Sequence, residues 1–143
     1  MANKTLKIKR LFAYTIYQNL RKIPPKEYPT TGEIKSTISV IIPALKNHIG
    51  EYASLLEKAS DLAVKVSNKE LSEEESKIKI DEYNNEWKTY NKEHGNDVVD
   101  ISLDEEGFKT LKNQFDRAKW GQEWVANIEE YAELSEAFNE AAK

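Results

Sequence analysis

Ile34, Ile38, Ile41, Leu45, Ile49, Tyr52, Leu56, Ala59 and Leu62 recur at steps of three and four residues, the most regular apolar run in the chain. That spacing lines one face of an α-helix, since a turn takes 3.6 residues. A stripe over residues 34–66, about nine turns long, must be covered by other elements, so the remaining chain is expected to supply helices around it. Two features oppose an unbroken helix: residues 37–42 are rich in β-branched side chains, and Pro43 removes a ladder donor. Because the stripe keeps its phase across Pro43, a helix kinked there is expected instead of a strand.

The flanking segments carry their own start and stop signals. Residues 5–9 alternate like a strand, and Leu11, Tyr14, Tyr17 and Leu20 then recur at helical steps until Pro24 and Pro25 end the run. Residues 24–32 hold three prolines and one glycine and read as a loop. Thr30 with Glu33 forms a capping box at the start of the long stripe. Ser67 with Glu70 and Ser72 with Glu75 are two further candidates; Ser72 is the better start, because Glu73, Glu74 and Glu75 then sit at the positive end of a helix dipole. Ile80, Tyr83, Trp87, Tyr90 and His94 mark the inward face of that helix, and Gly95 with Asn96 stops it. Residues 98–103 alternate as a short strand whose only plausible mate is residues 5–10. Asp104 caps a helix running to about Lys119 with Phe108, Leu111, Phe115 and Ala118 inward, and Gly121 interrupts it. Trp124, Ile128, Tyr131, Leu134 or Ser135, and Phe138 carry a last helix. The expected fold is mainly α: one helical domain over residues 1–143, a bundle of four to five helices with a long kinked central helix and a minor two-stranded β element.

Composition narrows the chemistry. The chain has no cysteine, so disulfides, thiolate zinc sites and cysteine nucleophiles are excluded. No apolar run is long enough to span a membrane or to follow the basic start as a signal sequence, and a cytoplasmic protein is expected. His48 and His94 have no second histidine at helical spacing, so no metal is expected. The acidic clusters fall at helix starts and polar faces, where carboxylates serve the dipole and solubility, and no calcium-loop spacing occurs. All five glycines are isolated, no serine lies in a nucleophile elbow, and neither catalysis nor a cofactor is expected.

Charge is unevenly spread. Residues 1–26 hold seven of the 21 cations and no acid, while residues 27–143 hold all 25 acids. One reading is a nucleic-acid contact, with Lys7, Lys9, Arg10, Arg21 and Lys22 on phosphates and Tyr14 and Tyr17 stacking on bases. The other, preferred because the chain as a whole repels polyanions, is that these cations dock the N-terminus on the acidic body. Tyr83, Trp87 and Tyr90, with Trp120 and Trp124, supply large stiff side chains of the kind that anchor protein interfaces. Such stripes at helical spacing also serve as core. An exposed end of the long stripe would suit a second chain, giving a homodimer.

The basic opening LKIKRLFAYTIYQNL, the helix GEIKSTISVIIPALKNHIGEYASLLEKA, the helix end YNKEHGN, the strand VVDISL and the helix start DEEGFKTL follow one another. In this order the chain resembles, over residues 5–115, a group of small bacteriophage proteins of Gram-positive hosts classed as domain of unknown function 1617. Pro43 and the proline-rich loop depart from the group's pattern. The resemblance implies a phage-encoded helper and carries over no site residues. The leading expectation is an accessory or assembly protein that binds a protein partner. A second is an inhibitor occluding a host enzyme or defence complex through an acidic C-terminal face bearing Glu129, Glu130 and Glu133; a third is weak nucleic-acid binding through the N-terminal segment.

Overall fold

The computed structural model describes residues 3–117 and 124–143. Strand β1 (Lys4–Lys9) runs directly into helix α1 (Arg10–Lys22). Leu6 and Ile8 point inward from β1 while Lys7 faces out, the period-two pattern of a half-buried strand. α1 stops where it should: Ile23, preceding Pro24, is pushed to extended backbone at φ −71° and ψ 121°.

Helix α2 (Thr31–Ser36) begins at Thr30, whose Oγ1 accepts from the Glu33 amide at 3.1 Å. The capping box is not completed, because the Glu33 carboxylate turns instead to Arg117, whose Nη2 donates to Oε1 at 2.7 Å. α2 continues through a π-helical turn (Thr37–Ile41) into α3 (Ile42–Lys46). Pro43 lacks the N–H that an α-helix needs and its ring crowds the carbonyl four residues back. Widening the preceding turn, with the Ile42 amide donating to the Thr37 carbonyl, relieves that conflict. The extra residue also rotates the stripe. Glu33 and Thr37 face inward, and Ile38, expected inside, is 62% exposed.

The long helix expected over residues 34–66 is interrupted. After α3 the chain turns at residues 47–51, where Gly50 adopts φ +57° in the left-handed region. Helix α4 (Tyr52–Ser67) then starts on a new axis. Leu45, Ile49 and Tyr52 are all buried across the break, so the spacing stays in phase although the helix does not. α4 and α5 (Glu73–His94) form an antiparallel hairpin, and Ser72 caps α5 by accepting from the Glu75 amide at 3.1 Å. Strand β2 (Val98–Leu103) pairs antiparallel with β1, from Lys4 opposite Leu103 to Lys9 opposite Val98, as the alternation predicts.

Asp104 caps α6 (Glu105–Asp116), accepting from the Gly107 amide at 2.6 Å. α7 (Ile128–Ala142) starts at Asn127, whose Oδ1 accepts from the Glu130 amide at 2.9 Å. Trp124 precedes α7 and is core, whereas Ile128, expected inward, is 76% exposed. Ala118, Trp120 and Gly121 lie outside the described residues. Counting residues 31–46 as one element, the described residues contain six α-helices and a two-stranded sheet. The fold is mainly α with a minor β element.

Two aromatic groups organise the interior. Phe115 stacks on Phe138 at 4.7 Å and contacts Trp124 and Tyr131, beneath α6 and α7. Tyr14 of α1 stacks on Tyr52 of α4 at 4.4 Å, and Trp87 and Tyr90 of α5 close around the pair.

Candidate interaction surface

The second aromatic group fixes the base of the α4–α5 hairpin. Tyr52 is fully buried and donates its hydroxyl proton to Asn91 Oδ1 at 2.5 Å. The Tyr90 hydroxyl accepts from the Glu51 amide at 3.1 Å, locking the start of α4 against α5. Burial, helped by neighbouring Tyr90 and Tyr14, pushes the Tyr52 phenol up to about 12. Burial raises Tyr14 and Tyr83 as well. Beside this base, Arg10 donates to Asp97 Oδ2 at 3.1 Å, and His94 Nδ1 lies 3.0 Å from the same oxygen. Hydrogen bonding to His94 holds the Asp97 carboxyl below its ordinary value.

Beyond the base the hairpin leaves the core. Tyr52, Leu55, Ala59, Leu62 and Val66 on α4 alternate at three and four, as do Ser76, Ile80, Tyr83, Trp87 and Tyr90 on α5. This is the seam of a two-stranded coil. Two helices cannot enclose a seam, and no residue in 56–89 is fully buried. Ile78 is 52% exposed, Val64 54%, Ile80 42% and Val66 39%. Along one side of the hairpin runs an open groove of about 680 Å³ bordered by Glu51, Lys58, Glu86, Tyr90, Glu93 and His94. It continues toward the tip past Asp61, Lys65, Lys79 and Glu82. A Lys58–Glu86 ion pair of 2.7 Å spans it.

The aromatic residues singled out in the sequence separate. Tyr83 and Trp87 are half-buried on the hairpin, Tyr90 is 9% exposed, and Trp124 is 1% exposed within the Phe115 group. Trp124 is therefore a core side chain, Tyr90 is buried but borders the groove, and Trp120 is outside the described residues. Glu129 is exposed, Glu130 is half-buried, and Glu133 pairs with Lys9 at 3.1 Å.

The basic segment is also reorganised. Tyr14 and Tyr17 are each 6% exposed, so neither ring is free to stack on a base. Lys9 and Arg10 are engaged by Glu133 and Asp97, and the Lys4 ammonium donates to the Ala142 carbonyl at 3.3 Å. Arg21 lies over the Tyr17 ring at 5.2 Å, while Lys7 and Lys22 are exposed. Lys4, Lys9 and Arg10 are thus paired with later elements of the chain.

A second polar cluster lies under the π turn. Thr37 Oγ1 donates to the Glu33 carbonyl at 2.8 Å and accepts from Gln114 Nε2 at 2.9 Å. With the Glu33–Arg117 pair it ties α2 to α6 from inside. Among the described residues no His, Asp and Glu group is placed to hold a metal ion, and no helix is long and apolar enough to cross a membrane.

Sequence reasoning missed the groove, although its signal was present. Glu51 just before α4 and Lys58 and Lys65 on it stand seven apart, and so do Lys79, Glu86 and Glu93 on α5. Comparison with protein-family models, curated proteins and solved structures finds no match.

Proposed function

We propose that this protein acts by binding another protein, without catalysis, and that the α4–α5 hairpin is the contact element. The observation that carries the reading is the uncovered length of that hairpin. It sets Val64, Ile78 and Ile80 in water, while the aromatic base anchors it to the core. Exposed apolar side chains rimmed by charge are the ordinary material of helix-mediated recognition. The resemblance to small phage proteins makes an accessory or assembly role, exercised in a cytoplasm, the setting we adopt. Occlusion of a host enzyme through α7 has less support, since Glu133 is already engaged by Lys9.

The absence of cysteine makes a clean test available, because Val64→Cys, Ile78→Cys and Glu129→Cys each create a single thiol. Each thiol is labelled with a photo-crosslinker in the cells that make the protein. Adducts to one protein partner from positions 64 and 78, and not from 129, are expected. Ile78→Glu should then weaken capture by about tenfold while shifting stability by about 0.5 kcal/mol or less. Adducts from 129 alone would move the contact to α7; none from any position would remove the binding reading.

A further inference from the structure

We propose that the grooved face of the α4–α5 hairpin pairs with the same face of a second copy of this chain, in antiparallel orientation about a two-fold axis through the Lys58–Glu86 pair. The proposal rests on the hairpin being the binding element and names its partner.

The argument is the order of charges along the groove. Lys58 and Glu86 neutralise each other at its middle. Seven residues toward the base stand Glu51, the residue before α4, and Glu93 on α5; seven residues toward the tip stand Lys65 and Lys79. All four are exposed, and none is in an ion pair among the described residues. Seven residues are close to two helical turns, so each row stays on one side of its helix. A two-fold axis across the hairpin at Lys58 and Glu86 exchanges base for tip. It brings Lys65 opposite Glu51 of the second copy and Lys79 opposite Glu93 of the second copy, and repeats both contacts by symmetry. A parallel arrangement would lay acid on acid and lysine on lysine. Asp61 and Glu82 also border the groove. The antiparallel axis sets them against Leu55 and Tyr90 of the second copy, where they meet no further acid. His94, at the basal end, remains beside its own Asp97. The charges seven residues to either side of the axis are therefore complementary in the antiparallel orientation alone, while on the axis Lys58 faces Lys58 and Glu86 faces Glu86 of the second copy, each still beside its own opposite charge.

The matched strip is two helices wide and about 21 Å long, the small end of specific interfaces, so the dimer should be weak, concentration-dependent and sensitive to salt.

Sedimentation velocity over a concentration series reads the outcome. The wild-type chain should move from monomer to dimer at low salt, and the dissociation constant should rise by about tenfold or more in high salt. Lys65→Glu with Lys79→Glu should abolish the dimer, and so should Glu51→Lys with Glu93→Lys. An equimolar mixture of the two double variants should restore a heterodimer, because the four contacts of residues 51, 65, 79 and 93 are again of opposite sign. A wild-type chain that stays monomeric, double variants that dimerise undiminished, or a mixture that fails to associate would each overturn the pairing. If the monomeric chain still crosslinks a different protein from position 78, only the second copy is lost and the hairpin keeps its binding role.

Discussion

Tyr52 shows what a single residue contributes here. It stacks on Tyr14, meets Tyr90 edge-on, and satisfies its hydroxyl on Asn91 in an apolar site. Such a site disfavours the phenolate, which raises the folded-state value from 10.0 to about 12. The folded chain then holds this proton more tightly than the unfolded chain. The corresponding stability is complete below pH 10.0 and is lost as pH rises toward about 12. Urea midpoints should therefore fall across that interval. In Tyr52→Phe the fall should be shallower, on a baseline lower by about 1 kcal/mol for the lost hydrogen bond. Equal slopes for the two proteins would show that Tyr52 is not the titrating group. Thr30, Ser72 and Asp104 illustrate the opposite case, of residues whose roles depend on neighbours three positions away. Local rules sufficed to find them.

At the scale of elements, the hairpin divides into an anchored base and a tip that only its own two helices support. Opening free energy follows buried apolar contact. Amide exchange should be slowest near Leu55 and Tyr90 and should quicken steadily toward Ser67 and Glu73. Trp87→Ala should cost about 2–3 kcal/mol and Ile78→Ala about 0.5 or less. Exchange-mass spectrometry showing a tip as protected as the base would mean that something covers it. The two-stranded sheet was readable because alternation is local to each six-residue run and residues 5–10 were the one candidate mate for residues 98–103. The break between α3 and α4 was not, because Ile49 and Tyr52 keep helical spacing across the turn at residues 47–51, where Gly50 is left-handed. The exposure of Ile38 was hidden for a related reason. The π turn that accommodates Pro43 shifts the register by one residue, and apolar spacing carries no mark of it. Aromatic residues on a helical face read the same whether they end as core, like Tyr90, or half-buried, like Tyr83. The neighbours that bury Tyr90, namely Tyr52 and Glu51 at the start of α4, are distant in sequence.

Across the whole molecule, the two ends of the chain are brought together. α7 lies along β1, with Lys9 on Glu133 and Lys4 on the Ala142 carbonyl, while Leu134 and Phe138 enter the core beneath. The basic opening of the sequence suggests that charge docks the N-terminus, but magnitudes favour packing. Lys9 and Glu133 are 33% and 51% exposed, and a pair of that kind contributes about 1 kcal/mol or less, falling with salt. Phe138 is 1% exposed and contacts both Phe108 and Phe115, so truncation to alanine should cost about 3–5 kcal/mol. Denaturant unfolding of Lys9→Glu, of Lys9→Glu with Glu133→Lys, and of Phe138→Ala separates the two. The charge reversal should cost little at low salt and nothing at high salt, and the double swap should recover it. Phe138→Ala should be equally damaging at both. Were Lys9→Glu to cost as much as Phe138→Ala, the ion pairs would be holding the chain ends together, and the uneven charge of the sequence would be a determinant of the fold in its own right.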